Sequence, residues 1–148
     1  MTSAGGDRPL PVADRDSTPW WAGVAEHVLR LQRCDACATL RWPPRTLCNR
    51  CGSLDWSWVA ASGRATTASW IVNWHAFSEA FGVPFVVVMA RLDEQDDILL
   101  PGAYGGAPDG HDLHIGRRLV VAFDDVAVPE GADPVSLLRW MPATDEGP

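Results

Sequence analysis

The sequence predicts a mainly β protein: a short N-terminal helix, a rubredoxin-like zinc ribbon, then a five-stranded barrel of the OB type. Three observations carry this. All four cysteines lie in two Cys-x-x-Cys pairs, Cys34/Cys37 and Cys48/Cys51, with ten residues between the pairs. Around and after them run short apolar or alternating stretches, separated by Gly, Pro and Asp, as strands and turns require. Only one stretch, beginning Pro19-Trp20-Trp21, has helical spacing.

Taken in order, residues 1–18 are rich in Gly, Pro and Asp and read as a disordered lead-in. Thr18-Pro19 is a helix start, and Trp20, Trp21, Val24 and Ala25 fall on one face of a helix ending near Glu26. Leu29 and Leu31 alternate with Arg30 and Gln32, which makes a strand into the first cysteine pair. A second strand is expected over Thr39–Trp42, stopped by Pro43-Pro44, and a third over Leu54–Ala60. Residues 19–60 are therefore helix plus ribbon, and residues 61–143 the barrel. Its strands are expected at Arg64–Trp74, Pro84–Leu92, Ile98–Tyr104, Arg117–Val126 and Pro134–Met141. Pro84–Leu92 is a continuous apolar run, as for a strand buried on both faces. Asp93–Asp97 reads as a solvated hairpin end, and residues 144–148 as a disordered tail. Five strands with a loop between the third and fourth suit a small Greek-key barrel.

A Cys-x-x-Cys turn aims two thiolates at one centre, and two such turns complete a tetrahedron of sulfurs. Cys34, Cys37, Cys48 and Cys51 are thus the candidate ligands of a structural metal, zinc or iron. Two disulfides or four free thiols are the alternatives. Disulfides need an oxidising compartment, and the polar N-terminus has no apolar signal segment, so a cytoplasmic protein is expected. No apolar run approaches the roughly 20 residues of a membrane span. Four sulfurs leave no open coordination position, so the metal points to no reaction.

All 12 basic residues are arginine, which removes lysine chemistry from consideration. The net charge is −7, yet residues 27–58 carry five arginines against two aspartates, while residues 59–143 carry five against eleven acids. A nucleic-acid-binding ribbon and OB-fold module is the alternative function, with Trp70, Trp74, Phe77 and Phe81 as stacking rings. The acidic barrel opposes it, because phosphate affinity rests on positive charge. An independent enzyme using His75, His111 and His114 is a third reading; His111-x-x-His114 lacks a third ligand in its loop.

The order of short motifs is more telling than the metal pattern alone. Pro19-Trp20-Trp21 is followed by Leu31-Gln32-Arg33-Cys34, Trp42-Pro43-Pro44-Arg45 and Cys48-x-x-Cys51-Gly52-Ser53. Ser62-Gly63-Arg64-Ala65-Thr66, Leu113-x-Ile115-Gly116-x-x-Leu119-Val120 and Leu138-Arg139-Trp140-Met141-Pro142 complete the series. From about Pro19 to Ala143 the chain resembles the zinc-ribbon/OB-fold proteins once catalogued as a domain of unknown function, found beside thiolases and other acyl-CoA enzymes. Ala65 departs from the pattern, where the family commonly has a second glycine.

The resemblance implies an accessory subunit that binds a thiolase-fold partner, two copies of each, and helps position acyl-CoA. Claisen condensation, thiolysis, retro-aldol cleavage or acyl transfer would be the partner's chemistry. The residues agree: a thiolase nucleophile needs a free cysteine beside histidine, and all four cysteines are committed to metal. Arg41, Arg45 and Arg64 are the candidate contacts to CoA phosphates, for which guanidinium has suitable fork geometry. Trp20, Trp21, Trp42, Trp56 and Trp58 are the candidate partner surface, because eight tryptophans exceed what a ribbon and a small barrel easily enclose.

Overall fold

The computed structural model describes residues 8–144; the first seven residues and the last four, to which part of the expected disorder refers, lie outside them. Residues 8–14 form neither helix nor strand and residues 15–17 a turn. This stretch lies along the ribbon, with Arg15 Nη2 donating to Thr46 Oγ1 at 3.4 Å and Thr46 Oγ1 reaching Asp16 at 3.3 Å. The helix α1 (Thr18–Ala25) starts one residue earlier than expected, with Ser17 in the cap position. Thr18 does not cap because its hydroxyl turns back to the Asp14 carbonyl at 2.7 Å, while Asp14 Oδ1 accepts from Ser17 N at 2.7 Å. Trp20, Gly23 and Val24 form the buried face of α1. His27, at φ 61°, turns the chain out of the helix, and Val28 N closes on Gly23 O at 2.8 Å.

The ribbon is a three-stranded antiparallel sheet of β1 (Arg30–Cys34), β2 (Leu40–Arg41) and β3 (Trp56–Ala60), in the order β2-β1-β3. The barrel follows as β4 (Arg64–Asn73), β5 (Phe85–Leu92), β6 (Leu99–Tyr104), β7 (Arg118–Val126) and β8 (Val135–Pro142). It closes in the order β4-β5-β6-β8-β7, with β7 returning to β4, so the fold is the expected helix, ribbon and five-stranded barrel. Every neighbouring pair is antiparallel except β6 with β8.

The barrel core is built from alternate residues, Val86, Val88, Ala90 and Leu92 of β5 with Leu100, Leu119 and Trp140. The other face of β5 is half-buried or exposed, which corrects the expectation of a strand covered on both sides. A closed barrel of this size has one packed face and one outer face, so an apolar run need not mean two covered faces. In β4 a bulge between Thr67 and Ser69 shifts the register by one residue. Ala65 and Thr67 point inward before the bulge, and Trp70 and Val72 pack on the core after it. Trp140 is fully buried and donates from Nε1 to Leu100 O at 3.2 Å. Its ring needs Gly102 opposite, since a Cβ there would sit 2.8 Å from Trp140 Cδ1 and 2.5 Å from Leu138 Cδ1.

Ribbon and barrel are joined by polar clasps. The Gln95 side chain pairs with the free edge of β2 as a peptide group would: Leu40 N donates to Oε1 at 2.9 Å, and Nε2 donates to Leu40 O at 2.8 Å. His27 stacks on Phe123, with ring centres 5.2 Å apart, and its Nε2 lies 2.7 Å from Asp125 Oδ1. The Asp93–Asp97 turn is therefore part of the seam rather than a free hairpin end.

Candidate metal centre

The two cysteine turns are built alike. Ala38 N donates to Cys34 O and Gly52 N to Cys48 O, each at 2.9 Å, while Cys34 N and Cys48 N donate to Thr39 O and Ser53 O, again at 2.9 Å. Each turn needs one left-handed residue, Ala38 at φ 64° in the first and Gly52 at φ 77° in the second. The turns face each other, and the four sulfurs lie within 4.8 Å of one another. Cys34 Sγ is 3.5 Å from Cys51 Sγ and Cys37 Sγ is 3.7 Å from Cys48 Sγ. A tetrahedral ion with metal–sulfur bonds of about 2.3 Å places its sulfurs about 3.8 Å apart. The donor set and its spacing therefore fit a zinc tetrathiolate, which would cross-link the two turns and leave no position for substrate.

Cys34 and Cys48 are buried, and Cys37 and Cys51 lie toward solvent. The backbone amides of Cys51 and Arg50 point at the Cys48 sulfur and bring its thiol down to about 6. Cys51 is pushed up to about 12: the Ser53 amide lowers it, but the neighbouring Cys34 thiol, burial, and Cys37 and Cys48 outweigh that. Donors aimed at the sulfurs favour the thiolate, the form that binds metal.

The predicted contacts beyond the metal separate into two groups. Arg41 is only 7% exposed. Its Nε donates to Gln32 Oε1 at 2.9 Å and its Nη2 to Arg45 O at 3.0 Å, and Gln32 Oε1 also accepts from Arg45 N at 2.8 Å. Arg41 and the buried Gln32 thus hold the Pro43–Arg45 segment in place from inside. Arg45 and Arg64 are exposed, and neither forms an ion pair among the described residues. Gln32 stands in the Leu31–Cys34 motif, which by itself gives it no site role; its register opposite Arg41 is what assigns its part.

The tryptophans divide too. Trp20 is 5% exposed and sits in the chain's own core, edge-on to Trp21 at 4.7 Å and 5.9 Å from Trp42. Trp21, Trp42 and Trp58 are half-buried against that core, and Trp56 meets Trp58 edge-on at 5.9 Å. The helix and ribbon absorb more of these rings than expected, because α1 lies on both β1 and β8. The most exposed aromatic rings among the described residues are elsewhere, with Trp74 68% and Phe77 77% exposed at one end of the barrel. His111 Nδ1 lies 2.7 Å from Asp109 Oδ1 in an exposed loop. The only cluster of three or more ligating groups among the described residues is the cysteine set.

The family model described as the ChsH2, rubredoxin-like zinc ribbon domain matches residues 21–57. A solved chain described as the "Ltp2-ChsH2(DUF35) aldolase" superposes with a TM-score of 0.75 at 34% identity, covering 89% of this chain and 98% of that one. The chain belongs to the ChsH2/DUF35 family. A DUF35 protein of unknown function from Sulfolobus solfataricus has the same fold, with a TM-score of 0.60 at 13% identity over 87% of this chain and 86% of that one. Two curated relatives also match. One is a probable enoyl-CoA hydratase alpha subunit from Thermomonospora curvata, 40% identical over 77% of this chain. The other is a 3-oxo-4,17-pregnadiene-20-carboxyl-CoA hydratase alpha subunit from Mycobacterium tuberculosis, 36% identical over 57% of this chain. The ChsH2/DUF35 chain described here matches only 35% and 27% of their lengths. No described helix is long and apolar enough to cross a membrane.

Proposed function

We propose that this chain is a non-catalytic subunit that binds a thiolase-fold enzyme, two copies of each, and helps it position acyl-CoA for carbon–carbon bond formation or cleavage. The observation that carries the reading is the near-complete coverage of the ChsH2 relative, a chain of the Ltp2-ChsH2(DUF35) aldolase. The residues support it. Every cysteine is drawn into the sulfur cluster, which leaves no thiol for acyl transfer. The metal is zinc in a structural role, for which the all-sulfur set is suited.

CoA, in this reading, meets Arg45 and Arg64, the two exposed members of the candidate trio, while Arg41 positions Arg45 from behind. The acyl group belongs to the steroid or other lipid acyl-CoA class that the curated relatives' names mention.

The test is to co-express the chain with a thiolase-fold enzyme of the same genome, size the product, and assay aldol cleavage and thiolysis of acyl-CoA. A hetero-tetramer whose activity needs both chains is expected. A chain that stays apart from the enzyme and leaves its activity unchanged overturns the proposal. Within an active complex, Arg45→Ala should raise KM for acyl-CoA with little change in kcat; an unchanged KM removes the CoA contact alone.

A further inference from the structure

Between α1, the stretch that precedes it and the start of β8 lies a slot of about 460 Å3. The helix presents a different side to each of its neighbours. Trp20, Gly23 and Val24 are buried in the core, while Thr18, Trp21, Ala22 and Ala25, three or four residues apart, line the slot. Pro11 of the preceding stretch and Val135 of β8 complete its apolar walls. Trp21 is the aromatic ring of the lining, half-buried and held edge-on by Trp20 with ring centres 4.7 Å apart.

The charged groups of the lining are Glu26 and Asp133, both acids. The segments that form the slot, residues 11–30 and 124–136, hold seven acids against Arg15, Arg30 and His27. Those three bases are already engaged: Arg15 with Asp16 at 3.3 Å, Arg30 with Glu26 at 2.6 Å and His27 with Asp125 at 2.7 Å. Asp124 is paired with Arg139, and Asp14 accepts from Ser17 N at 2.7 Å. Glu130 and Asp133 remain, exposed and without a cationic partner among the described residues. With each neighbouring base accounted for, the rim is still negative.

We propose that this slot receives an arginine side chain of the thiolase-fold partner, a contact that rests on the partnership proposed above and gives it a place. Arginine is an apolar stem that ends in a planar cation. Its methylenes match the Pro, Ala and Val walls, its guanidinium lies over the Trp21 ring, and the Asp133 carboxylate accepts from its fork. A neutral side chain would leave Asp133 unpaired, and an acid would be repelled. Nucleic acid and anionic lipid are disfavoured by the same charge. A ribbon arginine of a second copy is the competing occupant; that contact joins unlike surfaces and adds copies head to tail, so it shows as self-association.

The test measures the affinity of the chain for the thiolase-fold enzyme of the same genome, at low and at high salt. Ala22 is exposed, so Ala22→Trp fills the slot without entering the core. It should keep the fold and the metal yet weaken the complex at least tenfold, whereas Ala22→Ser should bind like the parent. Should Ala22→Trp not fold, Ala22→Leu is the smaller filler. Asp133→Arg reverses the charge at an exposed loop and should also weaken the complex at least tenfold, while Asp133→Asn should weaken it about threefold and flatten its salt dependence. A complex that tolerates both the filled slot and Asp133→Arg overturns the docking slot and leaves the proposed function standing. Sensitivity to only one overturns the arginine: to the filler alone it marks an uncharged anchor, to Asp133→Arg alone a charge contact outside the slot. Self-association of the chain alone that Asp133→Arg abolishes overturns the choice of occupant. If no complex forms at all, both proposals fall.

Discussion

At the residue scale, the two cysteine turns share a geometry but not a residue at the left-handed position. Ala38 occupies at φ 64° the place that Gly52 takes in the second turn. An L-residue there carries a strain of about 1–2 kcal/mol, and glycine gives back part of that gain through its freer unfolded chain. Ala38→Gly is therefore expected to leave the fold intact and raise its stability by up to about 1 kcal/mol, read as a small upward shift in Tm with metal bound. A lowered Tm would mean that the Ala38 methyl has a packing role. The opposite outcome is expected at the ligands. Cys34 is buried and central to the cluster, so Cys34→Ser should abolish stoichiometric zinc, measured by elemental analysis under reducing conditions. Apparent zinc-binding energies in small modules are about 10–16 kcal/mol, so the ribbon should unfold with that loss.

At the element scale, the seam between ribbon and barrel hangs on short side-chain clasps. Gln95 supplies two hydrogen bonds to Leu40, and each typical bond contributes about 0.5–1.5 kcal/mol net. Gln95→Ala should cost about 1–3 kcal/mol and expose the β2 edge, seen as faster exchange of the Leu40 amide; Gln95→Glu retains only an acceptor and should recover part of it. Unchanged exchange at Leu40 would show that the clasp is not formed in solution. The barrel wall is less forgiving. Gly102 lies under Trp140 and Leu138, with contacts below 3 Å awaiting any Cβ. Gly102→Ala should destabilise the barrel by about 1–3 kcal/mol through overpacking, measured by denaturant unfolding.

At the scale of the whole molecule, metal and acid should act on different parts. Chelation removes the ribbon's cross-link but not the barrel's core of Leu92, Leu100, Leu119 and Trp140. Partial unfolding is expected, with loss of the Trp56 and Trp58 environment and retention of protected amides in β5 and β8. Acid adds a second effect. Arg118 donates two hydrogen bonds to Asp93 and holds its carboxyl below the ordinary value of 3.8. A lowered folded pKa stabilises above the unfolded value, and that contribution is lost as pH falls through the folded one. Thiolate ligands also take up protons as pH falls. Stability should therefore decline toward acid in two steps, metal release first and loss of the Asp93–Arg118 pair below about pH 4; a metal indicator and circular dichroism followed together check the order.

Much of the architecture was legible in residue order alone. The paired cysteines specified the ribbon because thiolate spacing is a local property, and alternating apolar residues located the eight strands to within a few residues. The candidate metal ligands were legible for the same reason. What needed the tertiary structure was everything decided by register and by which face is covered. An apolar run could not say that β5 has one inner face, nor could the sequence show the bulge that reverses the inward parity of β4. Arginine spacing placed Arg41 and Arg45 together, but only cross-strand pairing with Gln32 drew one inside and left the other exposed. The tryptophan count pointed to surplus aromatic surface, yet the packing of α1 chose Trp20 for the core and left Trp74 outside. A sequence lists the groups available for contact; the distant segments that meet them, Gln95 at Leu40 or Phe123 at His27, are fixed only when the chain closes on itself.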